Sequence, residues 1–358
     1  MAVLKDNAYG HGLVRIAKHL HREGCRHFGV ATLHEALTVQ QAGINDSYIL
    51  ILRALTATEL PVAMAHDFRI MIADLAQLRL ASQIGERHSK SARVHLKIDT
   101  GLGRLGFLPD DVPALADALQ NVKWVEVEGV ASHFAVSASR HEFHGIQLTR
   151  FRAAVEQLQR VKPKFIRHIA ASSVTTGMPE AWLDMVRISS LLYGLSNAEY
   201  VPWGLDTVLT WVAPLLQIKT VPPGWNVGYG LRYAAQDWLR IGVIGVGAGD
   251  SFPYALREKA TVLVRGRRCR VLGMALDQSM IDLTNVPEAA VGDEAVIIGT
   301  SGDDYIRPEE LARIAGTSYG EILSRIPPRI PRFYFERGQL SFVDTMEDGS
   351  AYREERVR

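Results

Sequence analysis

The segment that decides the fold stands at the start of the chain, where residues 2–12 are AVLKDNAYGHG. An apolar run, Ala2 to Leu4, ends in Lys5 and is followed by turn-forming residues. A short apolar run of this kind is typical of a strand that is buried on both faces. A lysine at the end of such a strand is unusual, because burying an unpaired ammonium is costly.

The same pattern repeats along the first half of the chain, with helix-like segments such as LHEALTVQQAG and FRAAVEQLQRV between the apolar runs. The eight runs extend from Ala2 to Lys5, His27 to Thr32, Tyr48 to Leu52, Arg69 to Asp74, Val94 to Asp99, Val127 to His133, Phe165 to Ala171 and Met185 to Ser190. Eight strand-helix repeats over about 200 residues predict an α/β fold, a TIM-like parallel (β/α) barrel.

The texture changes after Tyr193, where Gly, Pro and Val become frequent and the runs become strand-like, as in VLTWVAPLLQIKTV and ATVLVRGRRCRVLGMA. We therefore predict two domains, a (β/α) barrel over residues 1–205 and a mainly antiparallel β domain over residues 206–358. The eighth run is followed by a loop, so that only seven helices surround eight strands, and the chain begins on a core strand. We expect the barrel to be truncated at its N-terminus, with a covering helix upstream of Met1.

Composition excludes several classes of protein. Apolar residues make up 47% of the 358 residues, charged residues 22%, and the formal net charge is +1, which indicates a globular protein with no nucleic-acid partner. The two cysteines, Cys25 and Cys269, make no disulfide framework, and no CxxC or HExxH motif indicates a metal. No apolar run reaches the roughly 20 residues that a membrane helix needs, and no signal peptide is present, so we expect a cytoplasmic protein without a membrane partner.

Functional groups of a (β/α) barrel lie at the carboxyl ends of its strands. The residues at those ends share positive charge or a hydrogen-bonding side chain and are Lys5, Lys97, Asp99, Arg104, His133, Ser172 and Arg187. Such a set suits an anionic ligand, for example a phosphorylated cofactor with a carboxylate substrate. Burial makes Lys5 a competent Schiff-base nucleophile, but its position alone fits a salt bridge at the barrel mouth equally well.

Two features of residues 227–250, VGYGLRYAAQDWLRIGVIGVGAGD, also suggest function. Tyr229 lies between glycines; a tyrosine there is usually structural, and it acts as an acid or base only where a nearby cation makes its proton more acidic. The GVGAGD stretch resembles a dinucleotide-binding loop only weakly, because its sixth position is Asp250 and no helix pattern follows.

Taken together, these motifs resemble the alanine racemases. AVLKDNAYGHG looks like the cofactor-lysine signature of that family, and VHLKIDTGLGRLGF, residues 94–107, is similar to its second landmark. The remaining motifs follow in the family's order over essentially the whole chain: GVASHFAVS, HIAASS, MVRISSLLYGL, VGYGLRYAA, VLGMALDQSMIDLT, VGDEAVIIG, GTSYGEIL and RIPRFY. The family fold is a (β/α) barrel followed by a β domain, as the patterns predict.

The resemblance implies pyridoxal 5'-phosphate as cofactor, bound covalently by Lys5, which also serves as the base on one face of the substrate Cα. Tyr229 would be the base on the opposite face, contributed by the partner subunit of a homodimer with shared active sites. Such an enzyme interconverts L-alanine and D-alanine and supplies D-alanine for peptidoglycan.

The resemblance also implies supporting roles. Arg187 would face the pyridine nitrogen, and because an arginine hardly gives up its proton, that nitrogen would stay largely unprotonated, which favours racemisation over side reactions. His133 would link Tyr229 to Arg187, and Lys97, a lysine often carbamylated in the family, would orient Arg104. The remaining binding residues would be Tyr9, Ser172, Ser189 and Ser190 for the cofactor, and Arg104 and Leu276 for the substrate.

The chain departs from the family pattern at five positions near these residues. The departures are Ser189 for a glycine, Ala171 for an asparagine, Pro328 for a tyrosine, Leu276 for a methionine and Ala248 for an entrance tyrosine. Two alternatives therefore stay open. One is a racemase of the same mechanism acting on larger amino acids, because Ala248 removes an aromatic ring from the entrance. The other is an inactive homologue that binds pyridoxal phosphate, although the single-domain carriers of this fold lack the β domain and its tyrosine.

Overall fold

The computed structural model describes residues 1–196, 204–347 and 351–356 and divides into two units. The N-terminal unit comprises Met1–Ala8 and Leu13–Asp206, and the C-terminal unit comprises Tyr9–Gly12 and Thr207–Arg358. None of the helices in these described ranges is both long and apolar enough to cross a membrane.

The N-terminal unit is built on seven parallel strands that neighbour each other in chain order. Their bounds are β1 Ala2–Val3, β2 His27–Val30, β3 Tyr48–Ile51, β4 Arg69–Ile72, β5 Ala92–Lys97, β6 Val125–Ala131 and β7 Ile166–His168. Strand residues such as Phe28, Ile70 and Leu96 are fully buried, which explains why the strands are apolar runs and not alternating patterns.

The eighth apolar run closes the ring of strands through single bridges. Ile188 pairs with Ala2, and the amide of Val3 donates to the carbonyl of Ile188 at 2.8 Å. On its other side Arg187 pairs with Ala171, so that the run lies between β7 and β1. The predicted parallel barrel is therefore confirmed. Its eighth member makes only one bridge on each side, which is too few for a regular strand.

Helices connect consecutive strands on the outside of the sheet. Their bounds are α1 Lys5–Tyr9, which is a left-handed turn, α2 Leu13–Arg22, α3 Leu33–Gln41, α4 Glu59–Ala65, α5 Leu75–His88, α6 Val112–Asn121, α7 Glu142–Gln159 and α8 Ser172–Thr175. The helix after β7, α8, is a single turn and is much shorter than α7. Met178 precedes Pro179 and adopts φ −135°, which is consistent with the steric bar that a proline places on a preceding helical residue.

The C-terminal unit is mainly antiparallel, as predicted. Seven strands follow the order β10-β11-β12-β9-β8-β13-β14, with β10 also pairing β13, and three more form a separate sheet. The bounds are β8 Trp211–Val221, β9 Leu239–Ile244, β10 Thr261–Val264, β11 Arg267–Met274, β12 Ser279–Asp282, β13 Glu294–Ser301, β14 Asp304–Ile306, β15 Arg332–Glu336, β16 Gln339–Glu347 and β17 Ala351–Arg356, with helices α9 Pro308–Ala315 and α10 Tyr319–Ser324. The GVGAGD stretch follows β9 directly and ends in a three-residue turn, Ala248–Asp250, which excludes a dinucleotide-binding helix there.

Candidate active site

Lys5 lies where β1 ends, at the head of a left-handed turn. Asp6, Asn7, Ala8 and Tyr9 all have φ between 52° and 56°. For residues with a Cβ this conformation costs roughly 1–2 kcal/mol each, and only Asn and Asp adopt it with any regularity. A turn of four such residues persists only where its surroundings hold it, and strain of this kind is concentrated at functional sites.

The Lys5 side chain is 36% exposed, and its Nζ lies 3.8 Å from Oδ2 of Asp6. A pair at that distance between two partly exposed side chains contributes little stability, and screening by solvent reduces it further. The pair with Asp6 therefore gives only weak support to the salt-bridge interpretation that the sequence left open.

Arg187 is buried at the carboxyl end of the eighth run and has four hydrogen-bond partners. Its guanidinium donates to His168 Nδ1 at 2.7 Å, to His133 Nδ1 at 3.0 Å, and to the carbonyls of Ser132 at 2.8 Å and Ile169 at 3.0 Å. Burial lowers the pKa of Arg187 to about 10, and nearby Arg104 contributes in the same direction. The guanidinium therefore keeps its proton at neutral pH.

A pair of buried histidines extends this network into the barrel interior. Because His168 Nδ1 accepts from Arg187, its Nε2 carries the proton and donates to His95 Nδ1 at 2.8 Å. Burial, reinforced by Arg187, holds the pKa of His168 well below its usual value, and burial with Arg69 lowers the pKa of His95 to about 3. Both imidazoles are neutral, and their tautomers follow from the fixed proton of the arginine.

His133 belongs to the same electrostatic group. It accepts from Arg187 through Nδ1, so that its Nε2 carries the proton. Burial lowers the pKa of His133 well below its usual value, and Arg187, Lys97, Arg104 and Lys5 lower it further. The four cations that the sequence places at strand ends are therefore all close enough to His133 to influence its charge.

Lys97 is buried at the end of β5. Burial lowers the pKa of its amine well below the ordinary value, and Arg187 and Arg104 add to this effect, whereas Asp99 opposes it. A buried lysine with a lowered pKa carries a larger fraction of neutral, nucleophilic amine.

Asp99 organises the loop that carries Arg104. Its Oδ1 accepts from the amides of Gly101, Leu102 and Gly103 at 2.8–3.2 Å, and its Oδ2 accepts from the amide of Arg104 at 2.8 Å. Burial alone would raise the pKa of this carboxyl, but the four amides hold it below its usual value. Asp99 is therefore a structural anion that positions the backbone of an exposed arginine.

Hydroxyl groups meet where β7 and the eighth run end. Ser172 Oγ lies 3.2 Å from Ser189 Oγ and accepts from the Ser189 amide at 2.8 Å, and Ser190 is also buried. Ser189 adopts φ −124°, so that the glycine usual in the family is not required by the backbone here.

Other sequence-predicted site residues belong to the C-terminal unit, among them Tyr229, Leu276 and Tyr9. Tyr229 is 70% exposed and lies between Gly228 and Gly230, both at φ 80°. The Cα of Gly273 would lie only 3.0 Å from a Cβ at position 228, so that a glycine is needed for this close approach. The loop therefore presents the phenol of Tyr229 on the surface of its own unit.

Ala248 and Leu276, two of the positions that depart from the family pattern, are neighbours in the C-terminal unit. The amide of Ala248 donates to Ala275 at 2.9 Å, and the amide of Gly249 donates to Leu276 at 2.8 Å. Leu276 is 75% exposed. The small side chain of Ala248 and the exposed side chain of Leu276 therefore sit on two turns that hydrogen bonds join.

The segment Tyr9–Gly12 is held by two residues of the RIPRFY motif. Arg332 Nε donates to the carbonyl of Gly10 at 2.8 Å, and the Tyr334 hydroxyl lies 3.1 Å from the carbonyl of His11. A Cβ at Gly12 would collide with the Tyr334 hydroxyl. Both side chains thus hold the backbone that follows the Lys5 turn.

The donor set of the N-terminal unit fits pyridoxal phosphate. An aldehyde needs an accessible amine, and Lys5 is partly exposed at a strand end. A phosphate needs hydroxyl and amide donors, which Ser172, Ser189 and Ser190 offer, and a heterocyclic ring nitrogen can accept from an arginine such as Arg187. The carboxylate of Asp99, which lies between Lys97 and Arg104 along the chain, is already occupied by four backbone amides.

Sequence reasoning missed His95, His168 and Glu35 as members of this site. His95 and His168 stand inside apolar runs, where a histidine usually signals nothing. Only the resemblance contained a signal, since HIAASS begins with His168. Glu35 forms an ordinary helix-capping pattern with Thr32, which concealed its contact with the Lys5 turn.

Comparison with known proteins identifies the family of the chain. Residues 1–197 match the alanine racemase N-terminal domain, and residues 208–334 match the alanine racemase C-terminal domain. The chain is 34% identical over 338 residues to an alanine racemase of Methylacidiphilum infernorum, covering 93% of this chain and 85% of the relative. It is 37% identical over 340 residues to that of Symbiobacterium thermophilum, covering 93% and 90%.

Solved structures show the same likeness. The alanine racemase of Bacillus anthracis with bound L-Ala-P superposes with a TM-score of 0.89 at 30% identity, covering 96% of this chain and 89% of that one. The alanine racemase of Streptomyces lavendulae superposes with a TM-score of 0.86 at 33% identity, covering 92% and 88%. The chain belongs to the alanine racemase family of pyridoxal-phosphate-dependent isomerases.

Proposed function

We propose that this protein interconverts L-alanine and D-alanine by a two-base mechanism in which Lys5 and Tyr229 act on opposite faces of the substrate. The observation that carries the proposal is the group of fixed cations and neutral histidines around Arg187 at the strand ends that include Lys5. Pyridoxal phosphate, when bound, makes the Cα–H of an amino acid joined to it acidic.

Two residues of the chain then remove and return that proton. The amine of Lys5 holds or removes the Cα proton on one face, and the phenol of Tyr229 does so on the other. A proton that leaves on one side and returns on the other inverts the centre, whereas a single base returns it to the same side. Tyr229 is exposed on its own unit, which supports a homodimer in which it serves the partner's site.

Arg187 decides which other reactions are suppressed. Its proton is held by a guanidinium whose pKa stays near 10, and the neutral His133 and His168 rings accept hydrogen bonds from it. A group that keeps its proton cannot pass it to the ring nitrogen of the cofactor. This restraint limits protonation of the cofactor and supports racemisation over transamination.

The binding roles follow from the same arrangement. Ser172, Ser189 and Ser190 supply phosphate donors, and the family resemblance assigns Tyr9 to the same phosphate. Arg104, on the loop that Asp99 holds, binds the substrate carboxylate, and Lys97 in carbamylated form orients it. We place Leu276 at the substrate and propose that the D-alanine formed enters peptidoglycan synthesis in the cytoplasm.

The decisive experiment compares purified wild type, Lys5→Ala and Tyr229→Phe. We expect wild type to convert L-alanine to D-alanine, Lys5→Ala to lose the covalent cofactor link, and Tyr229→Phe to keep the cofactor while losing orders of magnitude in rate. Borohydride reduction and peptide mapping should label Lys5; a different labelled lysine would refute the assignment.

The shared site has its own test. Lys5→Ala and Tyr229→Phe chains, each inactive, should recover part of the activity when mixed, because one of the two sites in a mixed dimer is then intact. No recovery after verified subunit exchange would contradict a site shared between subunits.

A second candidate is racemisation of larger amino acids. Ala248 favours it, because the turn joined to Leu276 carries a methyl group where the family has a phenol ring. A panel of L-amino acids assayed with wild type decides between strict and broad specificity.

A further inference from the structure

We propose that Glu35 is a positioning residue for Lys5, which holds the left-handed turn from which the Lys5 amine is presented. This inference rests on the proposed role of Lys5. The observation behind it is that the carboxylate of Glu35, on α3, reaches across to the turn that follows β1: its Oε1 accepts from the amide of Asn7 at 3.3 Å.

Glu35 is tied to β2 as firmly as to the turn. Its Oε2 accepts from the amides of Ala31 at 2.8 Å and Thr32 at 3.1 Å, at the end of β2. Its own amide donates to the hydroxyl of Thr32 at 3.1 Å. One carboxylate therefore joins the barrel strand beside β1 to the second residue after Lys5.

The turn needs this support because its conformation is unfavourable. Asn7 has φ 56° and Ala8 has φ 53°, and Ala8, unlike Asn7, cannot form local side-chain hydrogen bonds that compensate for such a conformation. Asn7 is held at a second point, since its Oδ1 accepts from the amide of Leu13 at 2.8 Å, where α2 begins. Asn7 is thus held through both its amide and its side chain, which fixes the backbone from which the preceding Lys5 side chain extends.

Replacing Glu35 with glutamine would break the arrangement with little change of shape. A carboxylate accepts on both oxygens, whereas an amide accepts on one oxygen and donates from its nitrogen. The substituted side chain would therefore serve either the two β2 amides or the amide of Asn7. In either orientation its NH₂ group would face a backbone N–H, from which it cannot accept a hydrogen bond.

The chain contains a matched control in the next strand-helix loop. Glu59 makes the same capping exchange at the start of α4: its Oε2 accepts from the amide of Thr56 at 2.9 Å, and its amide donates to the Thr56 hydroxyl at 3.3 Å. Its other oxygen pairs with Arg53 at 2.5 Å, and its described contacts do not include the Lys5 turn. Glu59→Gln thus removes a cap without removing a contact to the turn.

The experiment uses the full chain, with Glu35→Gln and Glu59→Gln compared with wild type. The first measurement is hydrogen exchange of the peptide that contains Asn7, made on cofactor-free protein. The second is the rate at which added pyridoxal phosphate becomes covalently attached, followed by its visible absorbance as a function of pH. The third is kcat and KM for alanine.

We expect Glu35→Gln to speed exchange at Asn7 at least tenfold, to slow attachment at least tenfold, and to lower kcat with a change in KM below threefold. Glu59→Gln should shift the melting temperature by about as much as Glu35→Gln does. It should leave the rate of cofactor attachment and kcat within twofold of wild type. Wild-type attachment in Glu35→Gln, or an equal loss in Glu59→Gln, would overturn the proposal.

A rescue keeps the test decisive if Glu35→Gln folds poorly. Ala8→Gly lets the turn adopt positive φ without strain, so that Ala8→Gly combined with Glu35→Gln should regain at least half of the lost attachment rate. If Glu35→Gln acted only by weakening the cap of α3, Ala8→Gly would not restore the attachment rate. A double variant that folds but shows no rescue would therefore contradict the positioning role of Glu35. Failure of the proposed function is recognised separately, because covalent attachment would then survive in Lys5→Ala while the exchange result stands.

Discussion

Acidification should destabilise the folded protein through three buried histidines, His95, His133 and His168. Burial, aided by neighbouring arginines, holds the pKa of each below its ordinary value, in His95 at about 3. In the unfolded chain each imidazole has a pKa of about 6.5. Below that pH the unfolded chain binds protons that the folded chain does not, so the stabilisation present above pH 6.5 is lost as the pH falls toward the folded pKa values.

The magnitude follows from this difference. At pH 5.5 each of these histidines takes up about 0.9 proton on unfolding, and between pH 7.5 and 5.5 each lowers the free energy of unfolding by about 1.4 kcal/mol. The three together lower it by about 4 kcal/mol, a large part of the stability of a typical domain. Removing one of these histidines should therefore reduce the combined contribution of the three to the pH-dependent loss by about a third.

His168→Asn is the most informative variant. The Oδ1 of an asparagine lies near the position of His168 Nδ1 and can still accept from Arg187. The free energy of unfolding is measured by urea titration at pH 7.5 and 5.5 for wild type, His168→Asn and His95→Asn. We expect each variant to lose about 1.4 kcal/mol less than wild type over this interval.

The comparison is internal, because carboxyl groups with lowered pKa values, such as Asp99, titrate below this pH window in all three proteins. Circular dichroism at pH 7.5 verifies that the variants fold. A pH-dependent loss in both variants equal to that of wild type would show that these histidines are not neutral in the folded state, and the tautomer chain from Arg187 would be refuted with them.

Three further predictions concern single residues of the site. Lys97 should react with carbon dioxide near neutral pH, and Lys97→Ala should raise KM for alanine about tenfold, because Arg104 loses its partner; an unchanged KM would contradict this role. Ser189→Ala should weaken cofactor affinity about fivefold in a spectroscopic titration, as expected for one neutral hydrogen bond of about 1 kcal/mol, and unaltered affinity would remove Ser189 from the phosphate site. Ala248→Tyr should shift the ratio of kcat/KM about tenfold toward alanine against serine, and identical ratios would mean that this residue has no part in selection.

Much of the architecture could be predicted from local pattern. Apolar runs such as His27 to Thr32 and Tyr48 to Leu52 specify buried parallel strands, because side chains on both faces of β2 and β3 are covered. The eighth run was also predicted, and single bridges place it next to β1, although its buried residues are the polar Arg187 and Ser190 and its apolar residues are only partly buried. The sequence pattern gave no helix lengths; the helix after β7 is a single turn, Ser172–Thr175, and Pro179 disfavours a helical conformation at Met178.

The reactive side chains and their place at strand ends could be predicted from local residues, since a periodic apolar pattern and a distinctive Lys5 segment are local properties. The protonation states and orientations of those groups depend on the folded structure. The neutral state of His168 depends on Arg187 and His95, which are 19 and 73 positions away. The left-handed turn after Lys5 depends on Glu35, 28 positions from Asn7. Hydrogen bonds and desolvation act through space, so that their partners are set by strand register and burial, which no local stretch of residues contains.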